Sequence, residues 1–143
     1  MVNPALVRRK MGLILEDLER LVEYRSFSLA DMVGDYRRLA VVERLLERII
    51  SRAIDVNEHF IAELATGTEA VRLDYRATFM KLADFGVYAP AFAQEIAKSA
   101  GLRNVLVHDY NDMDHSLLHG SIGTCLTQYR DYCRFVLDFI AKK

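Results

Sequence analysis

Apolar residues recur along this chain in alternating steps of three and four, the spacing of one helix face. Val7, Met11, Ile14, Leu18 and Leu21 share such a face and predict a first helix from about Pro4 to Tyr24. Ser28 opens the next segment, with Asp31 three positions on, a weak variant of the capping box. Leu39, Val42, Leu46, Ile49, Ala53, Val56 and Phe60 then predict one long second helix to about Leu64. Leu45, Ile50, Ile54 and Ile61 widen its stripe, so this helix should pack against several neighbours.

Thr66-Gly67-Thr68 reads as a break, with Thr68 a cap for a third helix from about Glu69 to Phe85. Tyr75, Phe79 and Leu82 point inward there, and Gly86 suits its end. Pro90 fits the first turn of a fourth helix that reaches about His108. After a polar turn from Tyr110, Asp114 caps a last helix to about Ala141, with Leu118, Ile122, Cys125, Tyr129, Tyr132 and Val136 facing in. Strong strand signals are absent. The expected structure is all-α, an up-and-down bundle of about five helices forming one domain over residues 1–143.

Composition narrows the function. A chain of 143 residues, 52% hydrophobic and with two prolines, can bury a core without disulfides or a structural metal. Lys and Arg number 19 against 20 Asp and Glu, so bulk charge does not announce a nucleic-acid binder and any such site must be local. Cys125 and Cys133 lie eight residues apart in one helix, about 12 Å along its axis. That exceeds the ~7 Å reach of a disulfide, so reduced core thiols of a cytoplasmic protein are expected. Glu16 and Asp17 interrupt the apolar run after Arg8-Arg9-Lys10, so a signal peptide is not expected. No apolar stretch approaches the ~18 residues of a membrane span, and no membrane partner is expected.

The end of the fourth helix carries chemistry. Arg103, Asn104 and His108 stand among Val105, Leu106 and Val107, with Tyr110 just beyond. Asn104 and His108 are four apart and share a face. That face continues backward through Gly101, Ala97 and Ala93, small residues that let another helix come close. Gly101 in mid-helix costs ~1 kcal/mol relative to Ala, which argues for a packing reason. Taken alone, these residues could be a satisfied polar network in a bundle or a catalytic cluster.

Arg103, Asn104, His108 and Tyr110 match the R-x4-H-x-Y pattern of HepT-like HEPN toxins. Gly101-Leu102 before the motif, Tyr75-Arg76 with Phe79, Leu82 and Gly86, and Asp55, Asn57 and His59 in the long second helix also resemble that family. The similarity runs from about Pro4 to Phe139. It implies the toxin half of a type II/VII toxin–antitoxin pair, cleaving RNA without a metal or cofactor. The RNA 2′-hydroxyl would attack the adjacent phosphorus at a composite site of a homodimer. Arg103 would hold phosphate, His108 would move protons, and Asn104 would orient either. The implied antitoxin is a minimal nucleotidyltransferase that transfers AMP to Tyr110. The alternative is a non-catalytic HEPN module that binds a nucleotide or assists a nucleotidyltransferase.

Two further patterns stand apart from the motif. Arg44, Arg48 and Arg52, extended by Arg37, form a row on the second helix that could track RNA phosphates or an acidic partner. The plainer reading is a solvated face partnered by Glu47 and Asp55, since like charges in such a row need compensation. His115 and His119 have the spacing of a zinc pair, but no third ligand is evident at close spacing, and a polar first turn is the better reading. His59 reads as structural or surface. No Glu-x-x-His pair, Walker loop, dinucleotide fingerprint or serine elbow occurs.

Overall fold

Seven helices run through the residues that the computed structural model describes, 1–66, 73–108 and 114–142. They are α1 (Pro4–Val22), α2 (Leu29–Val33), α3 (Tyr36–Leu64), α4 (Tyr75–Asp84), α5 (Pro90–Ile96), α6 (Ser99–His108) and α7 (His115–Ala141). The fold is all-α. Two expected helices are each divided in two, which accounts for seven rather than five.

The first division falls at Gly34-Asp35. Ser28 caps α2 by accepting from the Asp31 N–H. Asp35 then adopts an extended backbone and accepts from the Arg37 N–H, starting α3 afresh. A Cβ on Gly34 would come within 3.0 Å of the Ala30 carbonyl oxygen, so the tight exit from α2 suits glycine. The second division falls at Ala97-Lys98. The N–H groups of Lys98, Ala100 and Gly101 bond three residues back, the tighter 3₁₀ pattern. The Ser99 hydroxyl donates to the Ile96 carbonyl at 2.6 Å, a local bond that competes with the helix ladder. Tyr129 donates in turn to Ser99 Oγ at 2.6 Å, pinning the bend to α7.

Other boundaries follow the sequence signals. Gly86, at φ +86°, ends α4, with the Gly86 N–H on Ala83 and the Val87 N–H on Leu82, a Schellman closure. Pro90 lies in the first turn of α5. Asp114 caps α7 by accepting from the Ser116 and Leu117 N–H groups. Thr68 and the expected start of the third helix lie outside the described residues. The description resumes at Leu73, and extended Asp74 caps α4 through the Ala77 N–H, so this helix starts at Tyr75 rather than running through from Glu69.

Cross-links between helices give their directions. Lys10 meets Asp55 while Asp17 meets Arg48 and Arg52, so α1 runs antiparallel to α3. Cys133 touches the Met11 carbonyl and His119 meets the Phe27 carbonyl, so α7 also runs against α1. Tyr132 and Phe139 of α7 pair with Asn57 and Phe60 of α3, so those two run alike. The expected inward residues Val7, Met11, Ile14, Leu18, Leu21, Leu46, Ile49, Phe60, Phe79, Tyr129 and Val136 are buried. Both cysteines are free and buried, and burial pushes each thiol up to about 12. Among the described residues, no helix is long and apolar enough to cross a membrane.

One charge lies inside. Asp17 is 0% exposed and sits on the apolar face of α1 between Ile14 and Leu18. Its Oδ1 accepts from Arg20 at 2.8 Å, and its Oδ2 takes Arg52 at 2.8 Å and Arg48 at 3.2 Å. Arg52 also reaches the Leu13 carbonyl at 3.4 Å. An unpaired buried carboxylate would be costly, and here three guanidiniums supply the countercharge. Asp17→Ala should therefore destabilise the fold by about 3 kcal/mol, the lower end of the cost of breaking a buried pair. Urea unfolding measures it, and a loss under about 1 kcal/mol would show that the cluster is a surface ornament.

Candidate active site

The bend between α5 and α6 turns α6 across α3, and that crossing places Arg103. Its Nε–H donates to Ser51 Oγ of α3 at 3.1 Å. Its guanidinium carbon lies 5.0 Å from the centre of the Tyr75 ring, within cation–π range. Arg103 is half-buried, and this is the only motif side chain with such a hold among the described residues.

Asn104 is exposed and lines a shallow cleft of about 460 Å³ with Leu73, Asp74 and Tyr75. Arg103 and Asn104 thus border the same tyrosine. His108 is the last residue of α6 and is exposed. No hydrogen bond joins it to Asn104 among the described residues, although the two share a helix face. Tyr110 lies outside the described residues, so the structure does not place the expected modification site. The motif is not a buried polar network: two of its three described members face solvent.

The small-residue face divides. Ala93 and Ala97 are buried, but Gly101 is exposed and opens on a groove of about 740 Å³ between α6 and α7. Leu102, Val105, Leu117 and Gly120 share that groove. A Cβ on Gly101 would only meet Arg76 at 3.9 Å, an ordinary contact. No close approach among the described residues therefore explains the glycine.

The arginine row finds partners other than those expected. Glu47 pairs with Arg44, but Asp55 pairs with Lys10, and Arg48 and Arg52 converge on Asp17. The sequence held a signal for this: Asp17 occupies a position of the apolar stripe, where a charge must find countercharges. Ser51 and Tyr75 were missed as supports of Arg103. No spacing rule links residues 51, 75 and 103.

Two of the remaining histidines bond to backbone groups. His59 Nε2 accepts from the Asn3 N–H at 3.0 Å, and His119 Nε2 lies 2.8 Å from the Phe27 carbonyl. His115 faces Glu43, whose carboxyl burial raises above its usual range while that histidine opposes the shift. No group of three potential metal ligands gathers among the described residues.

The chain matches the Ribonuclease HepT-like family over residues 14–136. It is 31% identical over 139 residues to the tRNA nuclease HepT of Aphanizomenon flos-aquae, covering 97% of this chain and 92% of that protein. The fold resembles a tri-AMPylated Shewanella oneidensis HEPN toxin solved in complex with its MNT antitoxin. That match has a TM-score of 0.78 and 19% identity, over 92% of this chain and 96% of the other. A toxin–antitoxin complex with AMP-PNP contains a similar chain, with a TM-score of 0.79 and 18% identity, covering 92% and 97% of the two chains. The cytosolic protein YutE of Bacillus subtilis, of unknown function, matches with a TM-score of 0.83 and 16% identity over 99% and 92%. By the family match and the curated relative together, this chain belongs to the HepT-like ribonuclease family.

Proposed function

We propose that the protein is the toxin ribonuclease of a toxin–antitoxin pair, with Arg103, Asn104 and His108 as its catalytic residues. The observation that carries this reading is the unequal treatment of the motif. Arg103 is fixed on Ser51 and Tyr75, while Asn104 and His108 face solvent and make no side-chain hydrogen bond among the described residues. Family membership and the named tRNA nuclease relative support it.

The chemistry suits these groups. The RNA 2′-oxygen attacks the neighbouring phosphorus, its proton passes to a base, and the departing 5′-oxygen receives one from an acid. Imidazole is the side chain that ordinarily exchanges protons near neutral pH, and a positioned one contributes typically ~10²–10⁴-fold. A guanidinium holds phosphate and stabilises the charge that grows in the transition state. No step requires a metal. Arg103→Ala and His108→Ala should each lower cleavage of transfer RNA by at least about 10²-fold with helicity intact. EDTA should leave wild-type cleavage unchanged. Undiminished cleavage by His108→Ala would remove its assigned role, and loss in EDTA would replace the metal-free scheme.

One chain offers a single motif histidine, so the composite site is completed by a second copy across a two-fold axis. Sedimentation at micromolar concentration should give a dimer, and a mixed dimer of wild type with His108→Ala should lose at least about 10²-fold in cleavage, because its shared site then holds one imidazole. A strict monomer that still cleaves RNA would overturn the shared site.

The proposed antitoxin is a minimal nucleotidyltransferase, which the HEPN toxin–MNT complexes support. Tyr110, two residues beyond His108, is the proposed AMP acceptor. Its phosphodiester would carry negative charge to the Arg103 neighbourhood and compete with RNA phosphate. Mass spectrometry after co-expression with the cognate nucleotidyltransferase should show added AMP that disappears in Tyr110→Phe. An adduct that persists in that variant would move the modification elsewhere.

A further inference from the structure

Both supports of Arg103 lie far from it in sequence. Ser51 stands in the middle of α3, a 29-residue helix. Tyr75 is the first residue of α4. Its backbone is fixed from inside: the Thr78 hydroxyl donates to the Tyr75 carbonyl at 2.6 Å. Asn57 Nδ2 donates to Thr78 Oγ1 at 3.1 Å, and Tyr132 donates to Asn57 Oδ1 at 2.6 Å. Asn57 and Tyr132 are 0% exposed and Thr78 is 1% exposed. A chain of buried hydrogen bonds thus runs from the core of α7 through α3 to the first turn of α4, where the tyrosine ring meets the guanidinium.

We infer that Ser51 and Tyr75 are positioning residues that preset the Arg103 guanidinium for an RNA phosphate, an inference that rests on the catalytic reading above. A guanidinium carries five N–H donors in a planar fork. Ser51 takes the Nε–H, which uses one edge and leaves the two terminal nitrogens to face phosphate oxygens side by side. The Tyr75 ring lies against the guanidinium and limits rotation of its plane. An arginine on a free stem would have to be immobilised at the moment of reaction, whereas one already fixed has lost that freedom on folding. Asn104 borders the same ring in the cleft, so a substrate strand entering there meets the fork in its set orientation.

A tyrosine that only packed α4 would tolerate any apolar replacement of similar size. A positioning tyrosine needs the ring but not its hydroxyl. This difference sets the test on the full chain, using steady-state cleavage of end-labelled transfer RNA. Tyr75→Leu and Ser51→Ala should each lower kcat by about 10- to 100-fold, with KM changed by less than about threefold. Tyr75→Phe, which keeps the ring, and Ser51→Thr, which keeps the hydroxyl, should restore kcat to within about threefold of wild type.

An inactive Arg103→Ala beside Tyr75→Leu and Ser51→Ala that keep wild-type kcat would overturn the positioning role while the catalytic reading stands. Undiminished cleavage by Arg103→Ala would overturn both. A Tyr75→Phe variant as damaged as Tyr75→Leu would overturn the part assigned to the ring. Should Tyr75→Leu fail to fold, Ser51→Ala decides, because alanine at a helix position favours the helix. The Nε–H resonance of Arg103 gives a readout apart from activity. It should be slow to exchange in wild type and fast in Ser51→Ala, and equal exchange in the two would overturn the Ser51 contact.

Discussion

Three buried polar side chains fix where the candidate site stands. Tyr132, Asn57 and Thr78 come from α7, α3 and α4, and each lies in an otherwise apolar interior. An unpaired hydroxyl or amide at such depth costs about 1–3 kcal/mol. Tyr132 also reaches the Ala53 carbonyl and Thr78 the Tyr75 carbonyl, but the Asn57 amide has only these two as partners and so sets how α3, α4 and α7 are turned toward one another. Turning α4 by a single residue would carry Thr78 about 100° away from Asn57. Apolar side chains impose no comparable constraint, since they accept many neighbours of about the right size. The aromatic contacts among Phe79, Tyr88 and Tyr132 fill the space around this chain of bonds without fixing its register.

Charge is arranged on the same principle, with specific partners rather than bulk attraction. The net charge of −1 conceals a place where three arginines surround one buried carboxylate. That cluster fastens α1 to α3 along a stretch where the rest of the interface is apolar. It also determines what Arg48 and Arg52 can do. Their guanidiniums are directed by Asp17, so a phosphate in contact with them would share donors with a carboxylate already in place. Arg103 has no acidic partner among the described residues. Its supports are a hydroxyl and an aromatic ring, both neutral, so its full charge stays available to an anion.

The sequence carried the class of the fold and most helix ends, because caps and breakers act locally. Asp114, Gly86 and Pro90 do what their types do anywhere. The two unforeseen divisions are also local, but weaker in the sequence. Gly34-Asp35 was readable as a stop and a cap, yet the apolar stripe continued across it. At Ser99 no breaker residue marks the bend, which the bonds of its hydroxyl to Ile96 and Tyr129 accompany. The motif residues were legible through a resemblance. Their surroundings were not, since Ser51 and Tyr75 meet Arg103 across sequence separations of 52 and 28 residues. For the arginine row, charge balance was the right question, but the nearest acids in sequence were not all the nearest in space. Glu47 was found for Arg44, and Asp17 was passed over because it belonged to another helix.

The uneven hold on the motif bears on how a reaction could be shared between two copies. If RNA is the substrate, phosphate binding needs a fixed fork, and Arg103 has one. Proton transfer needs a group within reach of the reacting oxygens, and His108 stands exposed at a helix end where a bound strand can meet it. Cleavage by a 2′-oxygen requires a base at one oxygen and an acid at another. Two of the three other histidines are engaged elsewhere: His59 accepts a backbone N–H near the start of the chain, and His119 is bound to the Phe27 carbonyl. In the proposed dimer the second imidazole is the same residue of the other copy. Gly101 is exposed on the groove beside the motif, where among the described residues a Cβ would meet only Arg76 at 3.9 Å, and that open face suits the proposed second copy.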